Sequence, residues 1–381
     1  MTTLSIYVGT VLPCQDHFCD THVFVMTTLS SVPGGAPVAR TRPTMREVAA
    51  LAGVSLKTVS RVLNDEPGVS LSLAARVRDA AAELDYRHNL TASSLRRADQ
   101  RTSTIGLLLE DIANPFFALL HRGVEDVAGE VGFGVLAASL DQDADRERRL
   151  VAAFVSRRVD GLIMVPTDSE QAYLVNEIRA GMPIVFADRL PRGLDGDGVL
   201  TDNREATRQA MAHLIARGHR RIAFLGGVLG IQTAEERYLG FLDAMHEAGV
   251  EVRPDWVVRD LHSVAEAQSA ASDLLATDAI PTAFFTAQNY LSIGTSRALR
   301  VASLEHRIAM IGFDDFEFAD MLNPSVSVVA QDPRRIGQLA ATMLFTRMAE
   351  PERPPSVTLL PSILTHRQSG DIRPEAARND D

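Results

Sequence analysis

From Ser103 onward, apolar runs of strand length alternate with amphipathic segments of helix length, and this alternation limits the possible folds more than any other feature of the chain. The first runs are Ile105–Leu109, Gly134–Leu140, Gly161–Pro166 and Pro183–Asp188, separated by helical patterns at Phe116–Val131, Asp143–Arg158 and Ser169–Ala180. A second series has strands at Gly198–Thr201, Arg221–Leu225, Ala283–Thr286 and Ile308–Phe313, with helices such as Arg204–Arg217, Ala234–Ala248 and Val264–Ala276. Continuous apolar strands are buried on both faces, and a helix between two strands returns the chain to run them parallel. The pattern therefore predicts an α/β body of two doubly wound parallel sheets. Two such lobes face each other across a cleft, and ligands bind at the carboxyl ends of the strands. A chain of 381 residues that is 46% apolar and 23% charged has the material for two or three domains. No stretch approaches the roughly 20 uninterrupted apolar residues of a membrane helix.

Ahead of this body, Thr44 to Tyr86 reads as three short helices. Thr44-Met45-Arg46-Glu47 is a capping box, Gly53 ends the first helix, and Ser55 caps a second that runs to about Leu63. After the loop Asp65–Gly68, Ser70 opens a third helix in which Leu73, Val77, Ala80, Ala81 and Leu84 share a face. Net charge is −11, which by itself argues against a nucleic-acid partner, but the charge is unevenly placed. Thr44–Arg101 holds nine basic against seven acidic residues and residues 1–43 balance, so the excess acid lies in the body. A mildly basic head on an acidic body fits a small DNA reader.

Ala49 supplies the small residue where two helices of a helix-turn-helix touch, and Gly53 supplies the left-handed residue of the turn. Val59 and Val62 anchor the second helix inward, which leaves Leu56, Lys57 and Arg61 outside with Ser55, Thr58, Ser60 and Asn64 around them. Arginine grips guanine bidentately, and short hydroxyl or amide side chains suit phosphate oxygens. The plain alternative is a helical hairpin with a solvated polar face. Lys57 decides between them: 37 of the 38 basic residues are arginine, and the sole lysine falls at the start of this helix.

Cys14 and Cys19 are the only cysteines and lie in the first 20 residues. A cysteine-free body carries no sign of an oxidising compartment, so the expected location is the cytoplasm. Leu12-Pro13-Cys14 lacks the basic and apolar regions of a lipoprotein signal. Met-Thr-Thr-Leu-Ser at 1–5 returns at 26–30, so residues 1–43 are expected to be a disordered extension with Met26 as an alternative start. Residues 371–381 read as a polar tail. A secreted solute-binding protein and an enzyme are the rival readings of the body. The first lacks a signal peptide and does not account for the head. The second lacks a Gly-rich phosphate loop, a nucleophile elbow or a metal-spaced His/Cys cluster, so catalysis, cofactor and metal are not expected.

The runs Met45-Arg46-Glu47-Val48-Ala49, Ala52-Gly53-Val54-Ser55 and Thr58–Asn64 together resemble the lac repressor (LacI) family. The resemblance continues through Glu83–Tyr86, Asn114-Pro115-Phe116-Phe117, Arg158–Gly161, Asp188-Arg189, Arg237–Phe241, Ile311–Asp315 and His366–Ser369, covering about residues 44–370 in order. It implies a homodimer that reads a near-palindromic operator on double-stranded DNA. Leu56 and Lys57 would choose bases, with Arg61 as a further contact. Residues 44–88 would be the DNA-binding domain and 89–102 the hinge and linker, with Asn89 and Ala92 as DNA contacts. Ala92–Arg97 would be the hinge helix, and Leu95 an apolar wedge in the minor groove. The body, 103–370, would resemble periplasmic sugar-binding proteins, with an N-lobe of about 103–188 and 332–358 and a C-lobe of about 189–331 and 359–370. A small-molecule effector, expected to be a sugar, would lie between them against Phe116, Phe117, Arg237, Asn289 and Asp314, with Thr233 and His262 as further candidates. Gln288-Asn289 stands where the family usually has Asn-Asp or Asn-Asn, which makes the pocket less acidic and disfavours a cationic ligand.

Overall fold

The computed structural model of the chain describes residues 43–63, 66–86 and 102–374. Asn64, Asn89, Ala92, Leu95, the expected hinge helix and the N-terminal extension lie outside these residues. The chain divides into two compact units, residues 1–88 and 89–381.

The head consists of α1 (Met45–Ala52), α2 (Leu56–Leu63) and α3 (Leu71–Glu83). The capping box forms as read. The Thr44 amide donates to the Glu47 carboxylate at 2.6 Å, and the Glu47 amide donates to Thr44 Oγ1 at 3.4 Å. Gly53 sits at φ 63°, where a side chain is disfavoured, and its amide closes α1 on the Ala49 and Ala50 carbonyls. Val48, Ala49, Ala52, Val59, Val62, Ala74, Val77, Ala80 and Ala81 form the core. Arg76 on α3 donates to the Ala52 carbonyl at 2.5 Å and ties the third helix to the end of the first.

The body holds two six-stranded sheets. The first contains β1 (Thr104–Leu109), β2 (Gly134–Ser139), β3 (Leu162–Met164), β4 (Ile184–Asp188), β5 (Asp197–Thr201) and β11 (Val357–Leu360), in the order β11-β5-β4-β3-β1-β2 and parallel throughout. The second contains β6 (Ile222–Leu225), β7 (Val257–Val258), β8 (Ala283–Thr286), β9 (Ala309–Phe313), β10 (Ser327–Ala330) and β12 (Ile363–Thr365), in the order β12-β10-β9-β8-β6-β7. Leu107, Leu109, Ile163, Val185 and Phe117 share one core with the helix Pro333–Ala349, which returns to the first lobe. Phe224, Phe241, Phe285 and Phe313 lead another in the second lobe.

Three expectations are corrected. The strand read at Gly198–Thr201 as the opening of the second series is the fifth strand of the first sheet, paired with β4 through Val185–Asp197 to Asp188–Leu200. Pro191, Gly193 and Gly196 prevent a helix between the two strands, so the chain returns by a short loop. The first crossing between lobes therefore follows Thr201 instead of Asp188, with the others after Ala330 and Leu360. The helix read at Ser169–Ala180 shortens to a 3-10 turn, Ala172–Leu174, and the helix Val175–Arg179. Gln171 is buried there, its side-chain amide donating to Glu147 at 3.3 Å and to the Thr167 carbonyl at 3.2 Å, which holds the start of the segment as a loop. Finally, β12 is antiparallel to β10. β11 leaves the first sheet at its carboxyl end, and after Pro361-Ser362 the chain enters the second sheet from that same end, opposite to its neighbours.

Candidate functional site

A small polar cavity lies between the lobes, where carboxyl ends of strands from both sheets converge. It is lined by Glu110, Asn114, Phe116, Phe117, Asp188, Arg189, Thr233, Arg237, Gln288, Asp314 and Gln331, and the space left is about 30 Å³, room for one or two waters. Five of the seven predicted effector residues, Phe116, Phe117, Thr233, Arg237 and Asp314, are therefore brought together.

Local structure explains their placement. Asn114 caps the helix Pro115–Glu130, its side-chain oxygen accepting from the Phe116 amide at 3.0 Å, and Pro115 occupies the first helical position. Phe116 and Phe117 thus leave the end of β1 as an edge-to-face pair with centroids 5.1 Å apart. Both are also buried in the core of the first lobe, so they serve as wall and as packing. Arg237 rises from the helix Gln232–Glu247, donates to Asn203 at 2.8 Å and to the Ala287 carbonyl at 2.7 Å, and lies 3.5 Å from Asp314 Oδ2. Its guanidinium stacks over Phe313 at 3.7 Å. Asp314 follows β9 and accepts from the Gln331 side-chain amide at 2.6 Å. Burial pushes the Asp314 carboxyl up, against the pull of Arg237 and Gln331.

Sequence reasoning missed three of the five charged residues, Glu110, Asp188 and Arg189. Asp188 and Arg189, both buried, end β4. Arg189 donates to Glu110 and approaches Asp188 Oδ2 to 3.4 Å. Arg189 Nη1 and Gln331 Oε1 have no hydrogen-bond partner among the described residues. Arg189 Nε is likewise without a hydrogen-bond partner among the described residues, and buried polar atoms are rarely left unpaired, so all three are open to a further partner in the cavity. The available signal was the position of Asp188-Arg189 just past an apolar strand, the same signal that pointed to Asp314.

Two predicted residues fall elsewhere. Asn289 is buried beside the cavity, where it pairs with Asn114 of the other lobe: its amide donates to Asn114 Oδ1 at 2.8 Å, and the return bond is 3.4 Å. Gln288, one residue earlier, lines the space instead. His262 is outside the pocket, half-exposed and 3.3 Å from Asp260.

Asp188 makes the site sensitive to pH. Burial pushes its carboxyl up to about 6, Arg189 and Arg237 pull it back, and Glu110 and Asp314 add to the rise. The difference from an ordinary 3.8 corresponds to about 3 kcal/mol. The folded state binds this proton more tightly than the unfolded chain. The contribution is therefore present below pH 3.8 and lost as pH rises through about 6. Calorimetry of the wild type against Asp188→Asn between pH 4.5 and 7.5 is expected to show a falling Tm in the wild type that flattens in the variant. Parallel profiles would mean that Asp188 ionises normally.

In the head, Val59 and Val62 are buried, while Leu56 and Lys57 are exposed at the start of α2. Ser55 Oγ accepts from the Thr58 amide at 3.1 Å and lies 2.9 Å from Thr58 Oγ1, so both hydroxyls work as a cap. Ser60 is half-buried. Arg61 folds back: its guanidinium donates to the Pro67 carbonyl, with Nε 3.6 Å from Glu66. Lys57 is the outward cation at the start of the helix.

Comparisons with known proteins match both units. Residues 44–89 match the model of "Bacterial regulatory proteins, lacI family", and residues 211–370 match a periplasmic binding protein-like domain. The ribose operon repressor of Escherichia coli strain K12 is 32% identical over 329 residues, 86% of this chain and 99% of the relative. The structure of the lac repressor dimer bound to operator and the anti-inducer ONPF aligns with a TM-score of 0.76 at 25% identity, covering 87% of this chain and 99% of that one. The complex of the transcriptional regulator CelR with cellobiose aligns at 0.64 with 30% identity, covering 86% and 100%. Helical head, two-lobed body and a relative matched over nearly its whole length agree: this chain belongs to the lac repressor (LacI) family of bacterial regulatory proteins.

Proposed function

We propose that this chain is a homodimeric transcription repressor whose grip on a near-palindromic operator is set by a small sugar bound between the lobes. The observation that carries the reading is the cavity itself. Two buried guanidiniums, Arg189 and Arg237, and two buried carboxylates, Asp188 and Asp314, close on a space walled by two phenylalanines. Guanidinium and carboxylate fork onto adjacent hydroxyls, and a phenyl face packs against sugar C–H bonds. The shut cleft must widen to take any sugar, and a monosaccharide asks for less opening than a disaccharide. A relative that represses a ribose operon and a neighbour in complex with cellobiose both accord with a sugar effector.

In the head, Ser55, Leu56, Lys57, Thr58, Ser60 and Arg61 share the helix that enters the major groove, with Asn64 at its end. Residues 89–102 act as hinge and linker, Asn89 and Ala92 touching DNA and Leu95 inserted at the dyad. Ligand changes the angle between the lobes and so the spacing of the hinges, which couples pocket to operator by about 1–3 kcal/mol. The protein acts in the cytoplasm and catalyses no reaction. No helix among the described residues is long and apolar enough to cross a membrane.

The test is to select fragments of the source genome with the purified full-length protein, then titrate sugars against the best fragment. Enrichment of a palindrome that releases protein on addition of ribose, but not cellobiose, supports the reading. A folded dimer that enriches no palindrome with or without sugar defeats it.

A further inference from the structure

The cavity is shut by contacts between protein groups on two sides. On one, Asn114 and Asn289 pair, and Tyr290 donates to Asp111 at 3.4 Å. On the other, the loop between β4 and β5 reaches from the first lobe to the start of the helix Gln232–Glu247 in the second. The Leu190 amide donates to Gln232 Oε1 at 2.9 Å, and Arg192 Nη2 donates to the Gly230 carbonyl at 2.6 Å. Arg192 Nη1 lies 2.5 Å from Asp168 Oδ1, so one guanidinium holds a carboxylate of its own lobe and a carbonyl of the other.

Exposed ion pairs contribute little when two long side chains must be ordered to make them. This one is ordered in advance. The Arg192 amide donates to Gln171 Oε1 at 2.8 Å, and its carbonyl accepts from the Gln171 amide at 2.9 Å. Gln171 is in turn held by Glu147, a fully buried carboxylate that also accepts from the Thr167 amide at 2.7 Å and from Tyr173 at 2.9 Å. The fit at the other lobe is close. Gly230 has φ +83°, a conformation side chains disfavour, and a Cβ there would meet Asp168 Oδ2 at 1.9 Å, so any other residue would push the Asp168 carboxylate from its place beside Arg192. Neither Arg192 nor Asp168 lines the cavity.

We propose that Arg192, braced by Asp168 and Gln171, is the positioning residue that keeps the cleft shut and so sets how long an effector stays rather than which effector enters. Opening the cleft breaks the Arg192–Gly230 and Leu190–Gln232 bonds while Asp168, Gln171 and Arg192 move together as part of the first lobe. Because the shut cleft must open for an effector either to enter or to leave, a latch of this kind slows both steps.

The inference rests on the effector reading only for its second readout. The first readout is the distance between spin labels on cysteines introduced at Arg149 and Ser269, exposed positions on helices of the two lobes. The labelled background is the full chain with Cys14→Ser and Cys19→Ser. Without ligand, Arg192→Gln is expected to move the distribution away from the wild-type distance and broaden it. Arg192→Lys, with one ammonium in place of the two-armed guanidinium, restores it only in part. The second readout is release of D-ribose by stopped flow, expected to be about tenfold faster in Arg192→Gln, with association faster as well. Thermal melting within about 2 °C of the wild type shows that the fold is kept. Wild-type distances in Arg192→Gln, or wild-type release of bound ribose, overturn the latch. If the wild type binds no sugar, the effector reading falls and the ligand-free distances alone judge the latch.

Discussion

Arg237→Ala is expected to abolish the response to effector while operator binding survives. The guanidinium is buried, holds Asn203 and the Ala287 carbonyl, faces Asp314 across 3.5 Å and stacks on Phe313. Alanine removes a charged donor from a desolvated pocket and leaves Asp314 without its neutralising neighbour. The expected loss of effector affinity is about 3–5 kcal/mol, roughly two to four orders of magnitude. Titration calorimetry with the sugar that releases the wild type, alongside band shifts on the selected operator, measures both halves. An Arg237→Met variant retains the volume of the side chain and is expected to show the same loss, which separates charge from packing. Near wild-type affinity in both variants would remove Arg237 from the effector site.

On the DNA side, Arg61→Ala is expected to weaken operator binding by about 1–3 kcal/mol, roughly 5- to 150-fold, with effector affinity unchanged. The structure sharpens this expectation. Arg61 is tied to the Pro67 carbonyl and lies beside Glu66, so it must give up both to reach a base edge, and the measured effect is a difference between two sets of partners. Lys57 has an exposed side chain at the start of the helix. Lys57→Ala is therefore expected to cost at least as much as Arg61→Ala despite the weaker geometry of an ammonium. Band shifts on the operator and on a scrambled duplex distinguish base reading from phosphate attraction: a base contact changes the ratio of the two affinities, whereas a phosphate contact lowers both and reduces the salt dependence. If neither substitution moves operator affinity, α2 is not the recognition helix.

Much of the head was legible because its determinants are local. A cap is a hydroxyl three residues from an acid, and a turn is a glycine that adopts positive φ. A helix face is a spacing of three or four residues. Each depends on neighbours a few positions away, so Thr44, Gly53, Ser55, Val59 and Val62 fall where they were expected. Strand identity in the body was legible for the same reason, since burial on both faces leaves an unbroken apolar run. Short, half-exposed strands such as β7, β11 and β12 carry no such run and are missed, and so is β10, which is buried but only four residues long and begins with a serine.

Membership of a sheet is a different matter. Nothing local distinguishes a strand that joins the previous sheet from one that opens the next: Gly198–Thr201 reads as the opening of the second series, and only its pairing with β4 puts it in the first sheet. The pocket divides along the same line. Residues announced by position, such as Asp314 just past an apolar strand or Phe116-Phe117 at a proline-started helix, were found. Glu110 and Gln331 became site residues only because strands distant in sequence end at one place. Asn289 and His262 show the converse: one is spent joining the lobes, the other turned to solvent. Local chemistry along the chain determined the helices, their caps, the apolar strands and the split between a mildly basic head and an acidic body. The tertiary structure decided which charges face each other and which loop closes the cleft, because electrostatics and burial act through space between groups that the sequence separates by tens to hundreds of residues.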